Sequence, residues 1–287
     1  MAIKIGILKE TANNETRVAV VPEIAKKLAA SGAEFLIEIN AGRSAGFNDG
    51  DYPEGCVFKE SRQAVLSGCD ILLTVSPPND QDIKSLKGGT IVIGFMSPFE
   101  NQHLIKQMAQ QNVVAFSVEL IPRISRAQSM DALSSQASIA GYKAVVLAAN
   151  HSNKFFPMLT TAAGTVRPSQ ILIIGAGVAG LQAIATAKRL GSRVLAFDVR
   201  SSTKEQIESL GATFLDTGVS AEGDGGYARE LTKEELSIQK EILAETIGQS
   251  DVVITTAAVP GKPAPKLIDK ATVSKMMPGS VIIDLGA

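Results

Sequence analysis

Gly175-Ala176-Gly177-Val178-Ala179-Gly180 follows the apolar run Ile171–Ile174 and opens an Ala-rich, helix-period stretch. A strand, a Gly-x-Gly-x-x-Gly turn and a helix in that order make a phosphate site built from backbone. Gly175 allows the tight turn, Gly177 lets a pyrophosphate approach the chain, and Gly180 lets helix and strand pack closely. The first N–H groups of the helix face the phosphates with the helix dipole behind them. Asp198 ends the next strand pattern, Val194-Leu195-Ala196-Phe197-Asp198, 23 residues after Gly175. A carboxylate there accepts from both ribose hydroxyls and repels a 2′-phosphate, so the expected ligand is NAD(H) rather than NADP(H). Arg200, past Val199, argues the other way, because an arginine accepts a 2′-phosphate; the carboxylate weighs more. The bland alternative, a glycine turn with no ligand, does not account for strand, helix and acid together.

Three further segments carry polar or small residues where ligands bind. Thr217–Gly226 has no apolar period and ends at Tyr227. It reads as a lid rather than a solvated insertion, because a lone aromatic in a Gly-rich loop suits closure. Thr255-Thr256-Ala257-Ala258-Val259-Pro260-Gly261-Lys262-Pro263-Ala264-Pro265 leaves a strand at its carboxyl end, and packing against a cofactor ring and a rigid turn are both open readings there. Arg123, Arg126, Gln128 and Asp131 cluster within nine residues. They suit a carboxamide and a charged ring in an interdomain cleft, or equally a capping and salt-bridge cluster before a helix.

The elements that must position these residues alternate along the chain. Strands are expected at Ile3–Leu8, Phe35–Ile39, Ile71–Val75, Ile91–Phe95 and Val113–Ser117, with helices near Pro22–Ser31, Ser61–Ser67 and Asn101–Gln111. After a break at Ser117–Ser135, a helix is expected over Ser135–Asn150, with Ser134 or Ser135 near its cap. The pattern then restarts: strands at Ile171–Ile174, Val194–Phe197, Thr213–Leu215, Val252–Thr255 and Val281–Asp284, and helices at Ala179–Leu190, Thr203–Leu210 and Thr232–Ile247. Such βα alternation gives α/β architecture with two doubly wound parallel sheets, both Rossmann-like. The expected division is 1–135 for the first domain, 136–166 for a bridging helix and linker, and 167–287 for the dinucleotide domain. The first domain has no glycine finger and is not expected to bind the nucleotide. The second reaches about five strands where a doubly wound sheet wants six, which suggests a shortened chain, either a fragment or a naturally split gene product.

Composition excludes several classes. The chain has 287 residues, is 45% hydrophobic and 20% charged, and has a net charge of −1, which argues for two globular domains and against disorder or a nucleic-acid partner. Cys56 and Cys69 cannot form a disulfide framework, and His103 and His151 have no partner at ligand spacing, so no metal site and no histidine-based catalysis are expected. No stretch approaches about 18 uninterrupted apolar residues and the N-terminus has no leader pattern, so a cytoplasmic chain is expected.

Pro122-Arg123-Ile124-Ser125-Arg126-Ala127-Gln128-Ser129-Met130-Asp131, the finger Gly175–Gly180 with Ala183-Ile184-Ala185-Thr186-Ala187, Gly225-Gly226-Tyr227-Ala228 and Pro260-Gly261-Lys262-Pro263-Ala264-Pro265 together resemble the NAD(H)-binding component (alpha subunit, domain I) of proton-translocating nicotinamide nucleotide transhydrogenase. Lys9-Glu10 and Glu15-Thr16-Arg17-Val18-Ala19 fit that family and its relative, alanine dehydrogenase. The resemblance runs through essentially the whole chain. It implies hydride transfer between NAD(H) here and NADP(H) on a partner component, coupled to a membrane proton-channel component. It implies a homodimer on the cytoplasmic face of the inner membrane, attached through its partners. Carried over residue by residue, Arg123, Gln128 and Asp131 hold the nicotinamide end and act catalytically by orientation, with Ile124, Ser125, Ser129, Met130 and Ser134 in the same region. Gly175, Ala176, Gly177, Val178 and Gly180 take the pyrophosphate; Asp198, Val199 and Arg200 the adenosine ribose; Gly226, Tyr227, Gln239 and Ala258 complete the pocket. Alanine dehydrogenases use a substrate-binding arginine, which Arg17 matches, and a lysine and a histidine at positions that are Thr74 and Phe95 here, which disfavours amino-acid oxidation; several transhydrogenase relatives keep that lysine, so Thr74 is a departure without being an objection. A binding module without catalysis would keep the finger and lack the Arg-Gln-Asp loop.

Overall fold

The computed structural model describes residues 2–219, 231–256 and 264–286. They form two compact units, Met1–Leu133 and Ser134–Ala287. The segment 136–166, expected to stand apart as a bridge, counts with the second unit.

The first unit runs β1 (Lys4–Ile7), α1 (Pro22–Ala30), β2 (Glu34–Glu38), β3 (Val57–Lys59), α2 (Arg62–Leu66), β4 (Ile71–Leu73), α3 (Asp80–Ser85), β5 (Ile91–Gly94), α4 (Gln102–Gln110) and β6 (Val114–Ser117). Its six strands pair in the order β3-β2-β1-β4-β5-β6, every pair parallel. Helices cover both faces, which is why the central strands are continuous apolar runs. Ile5, Ile7, Phe35 and Ile37 pack with Ala25 of α1 on one face. Leu72 and Val92 pack with Val65 and Leu66 of α2, Ile83 of α3 and Met108 of α4 on the other. Two elements exceed the expectation. Strand β3 is a three-residue, largely unburied strand at the sheet edge, too short to show a period. Helix α3 is polar but opens on a capping box between Asn79 and Asp82.

The chain then forms short 3₁₀ turns at Val118–Leu120 and Ser125–Met130, followed by helix α5, Ala132–His151. Ser134 and Ser135 therefore sit inside the first turn of α5 and not at its cap, because the helix starts earlier than its apolar period. A small antiparallel hairpin follows, β7 (Leu159–Thr161) and β8 (Gly164–Val166), where a plain linker was expected. The rest of the second unit is β9 (Gln170–Ile174), α6 (Val178–Arg189), β10 (Arg193–Phe197), α7 (Lys204–Ser209), β11 (Thr213–Phe214), α8 (Lys233–Gly248), β12 (Val252–Thr255), α9 (Lys270–Val273) and β13 (Val281–Asp284).

These five strands pair in parallel as β11-β10-β9-β12-β13. Alternation along β9 explains both layers. Ile171 and Ile173 face Ala183, Ile184 and Ala187 of α6 and Val145 of α5. Leu172 and Ile174 face Leu243 and Ile247 of α8. Both units are thus doubly wound α/β sheets, with the strand order reversing beside β1 and β4 in the first and beside β9 and β12 in the second. Among the described residues, no helix is long and apolar enough to cross a membrane.

Candidate functional site

The end of β9 in the second unit has the features of a phosphate turn. Gly175 has φ +101°, a conformation that side chains rarely adopt. Gly177 is the N-cap of α6, and a Cβ there would point into open space. A Cβ on Gly180 would lie 1.8 Å from the Gly175 carbonyl oxygen, so only glycine lets α6 settle onto the turn. The three glycines therefore differ in what they do: one bends the chain, one leaves room outside it, and one allows close packing. Ala176 is buried beside them, and Val178 is exposed at the start of α6.

Asp198, just past β10, is 7% exposed. The Ala176 N–H donates to its Oδ2 at 2.7 Å, and the Arg200 N–H donates to its Oδ1 at 2.9 Å. The Arg200 guanidinium adds Nε to Oδ1 at 2.9 Å and Nη2 to Oδ2 at 3.0 Å. Burial pushes the carboxyl pKa up, but the Arg200 guanidinium and the two backbone N–H groups outweigh it and hold it below the ordinary value. The same pairing raises Arg200. Val199 lies between them, half-buried.

A cavity of about 380 Å³ opens beside this carboxylate, lined by Phe197, Asp198, Ser201, Lys204, Phe214, Asp216, Thr217, Gly218 and Val219. Ser201 and Lys204 escape a reading of the sequence, because nothing in their spacing marks them. Gln239 is buried on α8, and its Nε2 has no hydrogen-bond partner among the described residues. Gly226, Tyr227 and Ala258, together with most of the expected lid and the Pro260–Pro263 stretch, lie outside the described residues.

The residues of the Arg-Gln-Asp segment belong to the first unit. Ser125–Met130 is a 3₁₀ turn closed by the Ala127 N–H to the Ile124 carbonyl at 2.9 Å and the Asp131 N–H to the Gln128 carbonyl at 3.3 Å. Only Ala127 is buried; Arg123, Ile124, Ser125, Gln128, Ser129 and Met130 are exposed, and Asp131 is half-buried, as is Ser134 in the second unit. The backbone therefore presents a row of side chains to its surroundings.

A smaller cleft of about 200 Å³ lies past β1 and β4, lined by residues that include Glu10, Arg62, Thr74, Ser76 and Asp82. Its charges are largely committed within the fold. Arg62 donates to both Asp82 oxygens, at 2.7 and 2.8 Å, and to Glu38 at 3.0 Å. Glu10 accepts from the Val75 and Ser76 N–H groups, and burial still raises its pKa. Arg17, near the start of the chain, is paired with Glu15.

Comparison with known proteins agrees with this layout. Residues 6–140 match the family model described as alanine dehydrogenase/PNT, N-terminal domain, and residues 144–287 match the C-terminal domain of the same family. The chain is 45% identical to the first portion of the split NAD(P) transhydrogenase subunit alpha of Rickettsia prowazekii, over 99% of this chain and 76% of that protein. It superimposes on the crystal structure of transhydrogenase from Sinorhizobium meliloti with a TM-score of 0.87 and 42% identity, covering 99% of this chain and 78% of that one. Alanine dehydrogenase 2 of Staphylococcus aureus is more distant, 28% identical over 99% of this chain and 72% of that protein.

Proposed function

The chain belongs to the alanine dehydrogenase/PNT family, and on that footing we propose that it is the NAD(H)-binding component of a proton-translocating NAD(P) transhydrogenase. The observation that carries the site is the direct hydrogen bond from the glycine turn, at Ala176, to the Asp198 carboxylate. It puts the glycine turn and the Asp198 carboxylate side by side, next to a cavity of about 380 Å³, which supports the turn as the phosphate site and the carboxylate as the ribose acceptor.

The fit is supported by the open space outside Gly177 and by the N-terminus of α6 beneath it. Gly175, Ala176, Gly177 and Val178 hold the pyrophosphate; Gly180 keeps α6 close; Asp198, Val199 and Arg200 take the adenosine ribose, with Gln239, Gly226, Tyr227 and Ala258 around the pocket. The bound dinucleotide supplies a hydride donor or acceptor at its nicotinamide carbon. Arg123, Gln128 and Asp131 orient that end, with Ile124, Ser125, Ser129, Met130 and Ser134 beside them. No general acid or base is required, so catalysis rests on proximity and on exclusion of water. NAD(H) is preferred over NADP(H) because Asp198 repels a 2′-phosphate.

The partners in this reading are an NADP(H)-binding component and a membrane proton-channel component, with the chain on the cytoplasmic face. The chain acts as a homodimer, which sedimentation of the purified protein tests. The support is the hairpin β7–β8, exposed at all of its residues with Leu159 and Val166 among them; a two-stranded ribbon is marginal by itself.

The deciding assay mixes the purified chain with an NADP(H)-binding component and follows hydride exchange between NADH and an oxidised NADP analogue. Exchange is expected, and Gln128→Asn or Asp131→Asn should slow it more than it weakens NADH binding. If no exchange occurs and alanine instead reduces NAD, the transhydrogenase reading is wrong. An unchanged rate in both variants removes the loop from the mechanism.

A further inference from the structure

Thr256 follows β12 and sits beside the end of β9, where the strand order of the second sheet reverses. Its N–H donates to the Ile174 carbonyl at 2.8 Å. Its hydroxyl donates to the Gly175 carbonyl at 3.0 Å, with the Ile174 carbonyl at 3.3 Å. The Gly175 carbonyl belongs to the same peptide group whose N–H, on Ala176, donates to Asp198 Oδ2 at 2.7 Å. One peptide is therefore gripped at both ends, by a hydroxyl past β12 and by a carboxylate past β10.

This peptide needs such a grip. Glycine on one side lets it rotate with little steric resistance, and Gly175 is already at φ +101°. Rotation would turn a carbonyl toward the Asp198 carboxylate and leave the N–H of Ala176, a residue 2% exposed, without its acceptor. Gly180 presses on the same carbonyl from α6, but van der Waals contact resists displacement rather than rotation. The Thr256 hydroxyl supplies the directional contact.

We infer that Thr256 is a positioning residue for dinucleotide binding. Its hydroxyl fixes the Gly175–Ala176 peptide with the N–H toward Asp198, and so holds the phosphate turn and the ribose-accepting carboxylate in register. The inference rests on the reading of the second unit as the NAD(H) site. Thr256 touches no reacting atom in this role; it acts through Gly175 and Ala176.

The test uses the full chain, NADH titrations followed by nicotinamide fluorescence, and thermal melts. Thr256→Val keeps the shape and removes the hydroxyl; Thr256→Ser keeps the hydroxyl. The valine variant should bind NADH about tenfold more weakly, the loss expected for one hydrogen bond in a polar network. The serine variant should bind nearly as the parent does, a rescue that a purely space-filling role would not give. Valine binding as tightly as the parent, or serine binding as weakly as valine, overturns the inference alone. A parent chain that does not bind NADH overturns the function reading and this inference with it. Should the valine variant fail to fold, Thr256→Ala takes its place and is read against serine in the same way.

Discussion

Both Asp198 oxygens are engaged by Arg200, so a ribose diol reaches the carboxylate only by displacing part of the guanidinium. The Ala176 N–H need not move, because it comes from the turn itself. On the proposed reading, Arg200 screens the carboxylate until a ligand competes for it, and the charge of the carboxylate opposes a 2′-phosphate. Asp198→Asn removes that charge with little change of shape. Hydrogen bonds to a charged group are worth about 1.5–3 kcal/mol, so NADH affinity should fall roughly 10- to 100-fold and the preference over NADPH should shrink. A variant that discriminates against NADPH more strongly than the parent would contradict the assignment. The pH dependence has a definite sign. The folded-state pKa of Asp198 lies below its unfolded value, so its contribution to stability is fully present above about pH 4 and is lost as pH falls through the folded pKa. Among the described residues, Lys204 and Asp216 line the same cavity, and Arg200 is paired with the carboxylate itself. Melting temperature against pH should therefore have a shallower acid limb in Asp198→Asn; an unaltered limb would show that the carboxylate is not the group responsible.

At the scale of elements, the contact between α6 and β9 makes the second and third glycines of the finger separable. Gly180→Ala drives a Cβ into a backbone carbonyl, which cannot be relieved by a rotamer change. Overpacking of this kind costs about 1–3 kcal/mol, and both the melting temperature and NADH affinity should drop. Gly177→Ala meets open space at φ −77°, a value alanine accepts, so stability should change by less than about 1 kcal/mol. NADH binding should nevertheless be lost if Gly177 faces the pyrophosphate as proposed, because the new methyl would then stand in its path. Calorimetry and NADH titration on the same preparations separate the two. Normal NADH binding by Gly177→Ala would place the phosphates elsewhere. The same glycines show why this region of the molecule was legible in the sequence: the bend at Gly175 and the close contact at Gly180 each exclude a side chain for a local reason, and Gly177 completes the spacing of the motif. The long apolar strands were equally plain, since burial on both faces leaves Ile171–Ile174 no polar residue. What escaped had no such local signature. Strand β3 and the hairpin β7–β8 are three-residue strands of mixed character. Helix α3 reads Asp-Gln-Asp-Ile-Lys-Ser, with no apolar period, and the Asn79–Asp82 box that opens it emerges only in the folded chain. Thr256 bonds a carbonyl 81 residues away, a relation that exists only once β9 and β12 are paired.

Each unit has buried clusters made from its own described residues. The buried clusters of the first unit draw on residues from Ile5 to Val113, and those of the second on residues from Ala144 to Ile254. A ligand held by the second unit stabilises that unit by about 2.7 kcal/mol at a hundred times its dissociation constant. Residues 123–131 lie in the first unit, whereas the glycine turn and Asp198 lie in the second. If the Arg-Gln-Asp segment holds the nicotinamide end, the ligand links the two units energetically, and which portion of the ligand does so can be dissected chemically. ADP-ribose carries the adenosine and pyrophosphate without the ring. Hydrogen exchange followed by mass spectrometry should therefore show ADP-ribose slowing exchange around residues 174–180 and 196–201 only. NADH at equal saturation should slow exchange there and also in the peptide spanning 123–131. Equal protection of 123–131 by both ligands would mean that the segment responds to the adenosine half. No protection by either would detach Arg123, Gln128 and Asp131 from the cofactor, leaving binding to the second unit alone.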